Sequence, residues 1–132
     1  MSFRLHADKL DSIVVPTSIS TVPINNGFYR YKLLYNPTIS GAVWANTHNA
    51  NTSLQYNSNT SATISGGIEI AAGYMTATTQ ASSPFVLEDG MFKYQFERNG
   101  LAGTAIPLVL AVTSDTATVN VLASMVWEEI TQ

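Results

Sequence analysis

The side chains able to do chemistry are few, and their spacing argues against most of it. The chain has 6 Lys and Arg, 9 Asp and Glu and 2 His in 132 residues. His6 and His48 are distant in sequence, no Cys is present, and neither His belongs to a spaced set of metal ligands. Ser and Thr are abundant, but nucleophilic catalysis needs a base held beside the hydroxyl by a third group, and no nucleophile-elbow signature occurs. Two carboxylate pairs stand out, Glu88-Asp89 and Glu128-Glu129. Glycoside hydrolysis needs carboxylates facing each other across a sugar. Neighbours on a strand point to opposite faces, which separates Glu128 from Glu129. Glu88-Asp89 precedes Gly90 and reads as a turn. Gly66-Gly67 has neither a following Lys nor a helix, so it reads as a bend and not a phosphate loop. Asn51-Thr52-Ser53 and Asn59-Thr60-Ser61 match the glycosylation triplet as chance matches in an Asn/Ser/Thr-rich region. The expectation is a protein that is not an enzyme, with no catalytic, metal-binding or cofactor-binding residues.

Binding is what remains. Trp44, Tyr56 and Tyr74, with Tyr35, could stack on sugars, with the polar loops 46–52 and 57–61 supplying contacts. The same aromatics fall on strand periods, which suits core or interface filler. Trp44, Tyr56 and Tyr74 are therefore candidate glycan or interface aromatics. Residues 1–11 read as an N-terminal arm, and Arg4, Asp8 and Lys9 in it are candidates for docking on a neighbouring protein. The plainer reading of that arm is a frayed terminus. Residues 12–132 read as one β domain.

Composition narrows the class. Charged residues are 11% of the chain, against roughly 25% in ordinary soluble domains. Their place is taken by 15 Thr, 13 Ser and 10 Asn. Six scattered cations are too few to neutralise nucleic-acid phosphates. The 45% hydrophobic content is too high for a disordered chain. The N-terminus has no apolar run of signal-peptide length, and Ala105 to Val112 is too short to span a bilayer. The expectation is a soluble protein made in a cytoplasm. Between residues 33 and 87 Glu69 is the one charged residue apart from neutral His48. Such a span fits a surface covered by another subunit; it also fits a Ser/Thr/Asn surface that water solvates without charge.

The elements that must position these residues read as short strands punctuated by turns. Ile13–Val15 stops at Pro16, and Ile19–Ile24 is a second piece in which Pro23 argues for an edge or bulge. Phe28–Tyr35, Ala42–Trp44, Ser53–Tyr56, Thr60–Ile64, Ile68–Met75, Phe85–Leu87, Ile106–Val112 and a long final strand reaching Trp127–Ile130 follow. Phe92, Tyr94 and Phe96 alternate with polar residues as a half-buried strand does. Glu69, between Ile68 and Ile70, is expected to point away from the core. Leu122 and Val126 suggest a final strand buried on part of both faces. The fold class predicted is all-β, an antiparallel two-sheet sandwich of jelly-roll type.

Three stretches together carry a resemblance. They are Leu34-Tyr35-Asn36-Pro37-Thr38-Ile39-Ser40-Gly41 with Trp44; Ser53-Leu54-Gln55-Tyr56-Asn57 leading to Ile64-Ser65-Gly66-Gly67-Ile68 and Ala72-Gly73-Tyr74; and Pro107 to Val112 leading to Val121 through Ile130. Their order, over roughly residues 30 to 130, resembles small β-sandwich structural proteins of tailed bacteriophages. The resemblance implies a virion component, either a capsid decoration or part of a tail or tail fibre, assembled in the host cytoplasm. It implies a homo-oligomer, a trimer first, with other virion proteins as partners. The alternative is a receptor- or glycan-binding adhesin module of a fibre, with a host surface glycan as partner. Neither reading involves nucleic acid or membrane.

Overall fold

The computed structural model describes residues 1–78, 85–87, 95–115 and 120–130. Among them there is no helix, and every strand pairing is antiparallel. The strands are β1 (Ser2–Leu5), β2 (Ile13–Pro23), β3 (Gly27–Tyr35), β4 (Thr38–Ser40), β5 (Ala45–Asn46), β6 (Leu54–Asn57), β7 (Thr63–Ser65), β8 (Ile68–Ala77), β9 (Phe85–Leu87), β10 (Leu108–Ser114) and β11 (Val121–Ile130). A larger sheet runs β5-β6-β1-β10-β3-β8, a smaller one β11-β2-β9, and β4 and β7 form a separate ribbon. The expected strand through Phe92 and Tyr94 and the Glu88-Asp89-Gly90 turn lie outside the described residues.

Both sheets feed one core. Phe3, Leu5, Tyr29, Tyr31, Leu33, Leu54, Met75, Leu108 and Leu110 come from the larger sheet. Val14, Ile19 and Met125 come from the smaller, and Phe96 joins them by a bridge to Val14. Alternation along β1, β3 and β10 puts these side chains on one face, and full burial of each is worth roughly 1.5–3 kcal/mol. A buried Thr21 hydroxyl on β2 donates to Met75 Sδ on β8 at 3.2 Å, tying the two sheets.

The structure corrects three sequence expectations. First, Ser2–Leu5 is not a free arm: β1 lies between β6 and β10, with Phe3 and Leu5 in the core. Four residues were too few to display a strand period. Second, the two pieces either side of Pro16 are one strand, β2. Val126 pairs with Ser18 and Trp127 with Pro16, which leaves Thr17 as an extra residue. This bulge accommodates a residue with no N–H, and the Thr17 hydroxyl donates instead to Val126 O at 3.1 Å. The bulge also shifts the inward set from Val14 and Pro16 to Ile19 and Thr21, which hid the continuity. Third, Ala42–Trp44 is not a strand. Val43 N donates to the Asn57 side chain at 2.9 Å, and only Ala45–Asn46 pair with β6.

Two of the resembling stretches meet. Asn36 adopts φ 54° before buried Pro37, and Gly67 adopts φ 90°. A Cβ on Gly67 would stand 2.9 Å from Pro37 Cβ, so both the backbone angle and the space require glycine there. This contact closes the base of the β4–β7 ribbon, whose Ile39 and Ile64 line a groove with Ser2 and Ala111 on the larger sheet.

Candidate functional site

The residues singled out in the sequence do not form one site. Arg4 alternates with Phe3 and Leu5, so its side chain leaves the core face. Its guanidinium lies 4.2 Å from the centroid of the Trp44 ring and donates to Gln55 Oε1 at 3.2 and 3.3 Å. Partial burial lowers its pKa, and the aromatic face supplies some of the lost solvation. Arg4 therefore fastens the 42–44 segment to β1. Asp8 is exposed, and its N–H donates to His6 Nδ1 at 3.1 Å. Lys9 Nζ donates to the backbone carbonyl of Asn51.

The three aromatics are dispersed. Tyr56 packs against the core from β6. Trp44 sits with Arg4 on the opposite face of that end of the sheet. Tyr74 is exposed on β8, the far edge strand. Tyr35, the fourth, donates its hydroxyl to Glu97; burial, then that hydrogen bond and the carboxylate charge, push its pKa up to about 12. Glu69 does project outward, where it pairs with Lys32 at 2.7 Å, and that hydrogen bond holds its carboxyl below the usual value. His48 and His6 join no group of three His, Asp or Glu side chains among the described residues.

A different place gathers polar side chains. The 47–52 loop folds against the end of β11 and leaves an open hollow of about 610 Å³ walled by Thr47, His48, Asn49 and Asn51 on one side and by Trp127 and Glu129 on the other, with buried Thr52 between. Alternation puts Trp127 and Glu129 on the same side of β11, while Glu128 is exposed on the other. Glu129 Oε1 accepts from the buried Ser53 N–H at 2.6 Å, and Oε2 accepts at longer range from the Thr52 hydroxyl and the Trp127 indole N–H. Burial acts to raise the Glu129 carboxyl, but the hydrogen bonds from Ser53, Trp127 and Thr52 together outweigh it and hold the group below its ordinary value.

The loop itself is well tied. The Thr47 hydroxyl lies 2.9 Å from that of Thr52 and 3.0 Å from Leu54 O, and its single proton serves one of these acceptors at a time. Asn49 Oδ1 accepts from Asn51 N at 2.8 Å, and Thr52 N donates to Asn49 O at 3.2 Å. The loop 46–52 was recognisable from composition as a place for polar contacts. Trp127 and Glu129 were not assigned to it, because only the antiparallel pairing of β1 with β6 and of β2 with β11 brings residue 53 to residue 129.

A second surface feature is apolar. Leu122, Val126 and Ile130 of β11 are 63%, 57% and 62% exposed, so the outer face of the final strand is open in the single chain and not buried. Their neighbours across the ladder are Val22, Ser18 and Ile13. Among the described residues β11 has no partner on its outer edge.

Comparison with protein-family models, with curated proteins and with solved structures finds no match for this chain.

Proposed function

We propose that the protein is a non-enzymatic structural subunit of a bacteriophage particle, a capsid decoration or a part of the tail, that works by associating with copies of itself. The observation that carries self-association is the β11 edge. Among the described residues this ten-residue strand has one row of backbone groups unpaired along its edge, and its adjoining outer face holds three large aliphatic side chains in water. Burying what is exposed of Leu122, Val126 and Ile130 would be worth roughly 1–2 kcal/mol each per copy, and a second copy offers the same apolar surface in return. The order of the turn motifs and the final strand supports the phage assignment. It also supports a trimer, attachment to other virion proteins and assembly in the host cytoplasm. Two sheets sharing one core support a sandwich, and the jelly-roll connection is the finer form of that proposal.

The test is sedimentation of the full chain with immunogold labelling of particles. A discrete oligomer that Val126→Lys converts to monomer, on a protein that labels particles, is the expected result. A strict monomer at high concentration with no particle labelling ends the proposal. The second reading, a glycan-binding module of a phage fibre, no longer has a platform of Trp44, Tyr56 and Tyr74 to stand on. The hollow beside Trp127 is the observation that favours it.

A further inference from the structure

We infer that the hollow between the 47–52 loop and the end of β11 binds a neutral saccharide. This site stands apart from self-association and gives the glycan-binding reading a place and a ligand class; it rests on that second reading. A sugar ring offers a C–H face and an edge of hydroxyls. The first calls for an aromatic surface and the second for donors and acceptors side by side. Trp127 is half-buried against the core and supplies as aromatic surface only the part of its indole that lines the hollow. Glu129 supplies an acceptor with capacity beyond its one short bond, and Asn49, Asn51 and Thr47 supply amide and hydroxyl groups of both kinds.

The other ligand classes fit less well. An anion would meet the Glu129 carboxylate, and the nearby Lys9 ammonium is bonded to the Asn51 carbonyl. A metal ion would find no three carboxylate or imidazole ligands together among the described residues. A quaternary ammonium wants a cage of several aromatic faces, and the wall has one. An apolar molecule would strip water from Asn, Thr and Glu side chains without replacing it. The hollow has room for a sugar at about 610 Å³, and its wide opening suits a ligand held along one face and not one enclosed. The loop is also held in place beforehand by the Thr47–Thr52 and Asn49–Asn51 bonds, which lowers the ordering cost of binding.

The experiment titrates the full chain with glucose, galactose, mannose and N-acetylglucosamine, following the indole N–H signals by NMR. Trp127→Phe assigns which signal is which. The expected result is a saturable shift of the Trp127 signal with at least one sugar, weakened about tenfold in Asn51→Ala and in Glu129→Gln. Asn51 is exposed and joins the loop through its backbone, so its truncation leaves the fold intact. Wild-type protein that binds no sugar of the panel overturns both the site and the glycan-binding reading. Wild-type protein that binds, but with the Trp127 signal unmoved or with either variant binding as well as wild type, overturns the site alone and leaves that reading standing.

Discussion

Glu129→Ala takes away the acceptor of a buried backbone N–H, and the size of the penalty can be worked out. Ser53 is fully buried, and its N–H lies 2.6 Å from Glu129 Oε1. A buried donor left without an acceptor costs about 1–3 kcal/mol, more toward the upper end when the lost acceptor was charged. The Thr52 and Trp127 bonds, at 3.4 and 3.5 Å, are long and add little, so about 2 kcal/mol is expected. For a chain of 132 residues this lowers Tm by roughly 6–10 °C. Glu129→Gln keeps an oxygen facing the Ser53 N–H, but it loses the charge and puts an amide donor where Oε2 accepted the two long bonds from Thr52 and Trp127, so its Tm falls too, by less than that of the alanine variant. Calorimetry at neutral pH measures both. An alanine variant within about 2 °C of wild type, or a glutamine variant as damaged as the alanine one, refutes the account. The pH dependence has a definite sign. The folded state holds the Glu129 carboxyl below its ordinary 4.5. A pKa depressed by folding contributes stability that is complete above the unfolded value and is lost as pH falls through the lower folded one. The Tm gap between wild type and Glu129→Gln therefore closes as the solution is taken below 4.5, and a gap that stays constant there would assign the effect to something other than the charge.

Three other perturbations are equally direct. A Cβ on Gly73 would lie 2.4 Å from Tyr31 Oη and 2.7 Å from its Cζ, so Gly73→Ala forces a buried ring to move and costs about 1–3 kcal/mol in calorimetry. Gly100→Ala, which meets open space, is the control and changes stability by less than about 0.5 kcal/mol. The Tyr35 phenol ionises near 12 because of burial and Glu97; Glu97→Gln brings its phenolate absorbance in at lower pH, and an unchanged titration would leave burial as the whole cause. Arg4→Ala uncovers the Trp44 ring and takes the donor from Gln55 Oε1, with a loss of about 0.5–2 kcal/mol and a shift of Trp44 fluorescence toward that of a solvated indole.

Long regular segments were legible in the sequence and local irregularities were not. Phe28–Tyr35 reads as a strand because its aromatic and aliphatic residues alternate with Arg30 and Lys32, and β3 follows that reading. Glu69 projects outward as expected, although the alternation behind that expectation breaks there: Ile68 is itself 63% exposed, and the ladder with β3 leaves Ile70 as an extra residue. Pro16 split β2 on paper because the bulge that accommodates it lies in the pairing with Trp127, and pairing is a tertiary fact. The strand at Ser2–Leu5 escaped because alternation over four residues is indistinguishable from chance, while its stability comes from ladders to residues some fifty and a hundred positions away. The Trp127–Glu129 wall has the same origin. Separation by two on a strand puts both on one side, but nothing local points that side at residue 53.

The long neutral span has part of its explanation inside the chain. Ser2, Thr52, Ser53 and Asn57 are buried. Asn57 takes the Val43 N–H and donates to the Ser2 hydroxyl, while Ser53 bonds to Ser12 and Glu129. Among the described residues no buried side-chain polar atom lacks a partner. A charged side chain at these places would have to be desolvated under the ribbon or the 47–52 loop, at far greater cost than a hydroxyl or amide that finds one bond. Low charge between residues 33 and 87 therefore does not by itself require a neighbouring subunit. The stronger argument for one comes from outside the span. From Val121 to Val126 β11 pairs regularly with β2 on one side, and this stretch carries no charged residue and no Pro to blunt its exposed edge; the irregular register and the two carboxylates come only at its end, from Trp127 to Glu129. With Leu122, Val126 and Ile130 standing in water beside that edge, a chain that stayed alone would be prone to indiscriminate strand pairing, which the proposed symmetric contact with its own copies would prevent by closing the edge selectively.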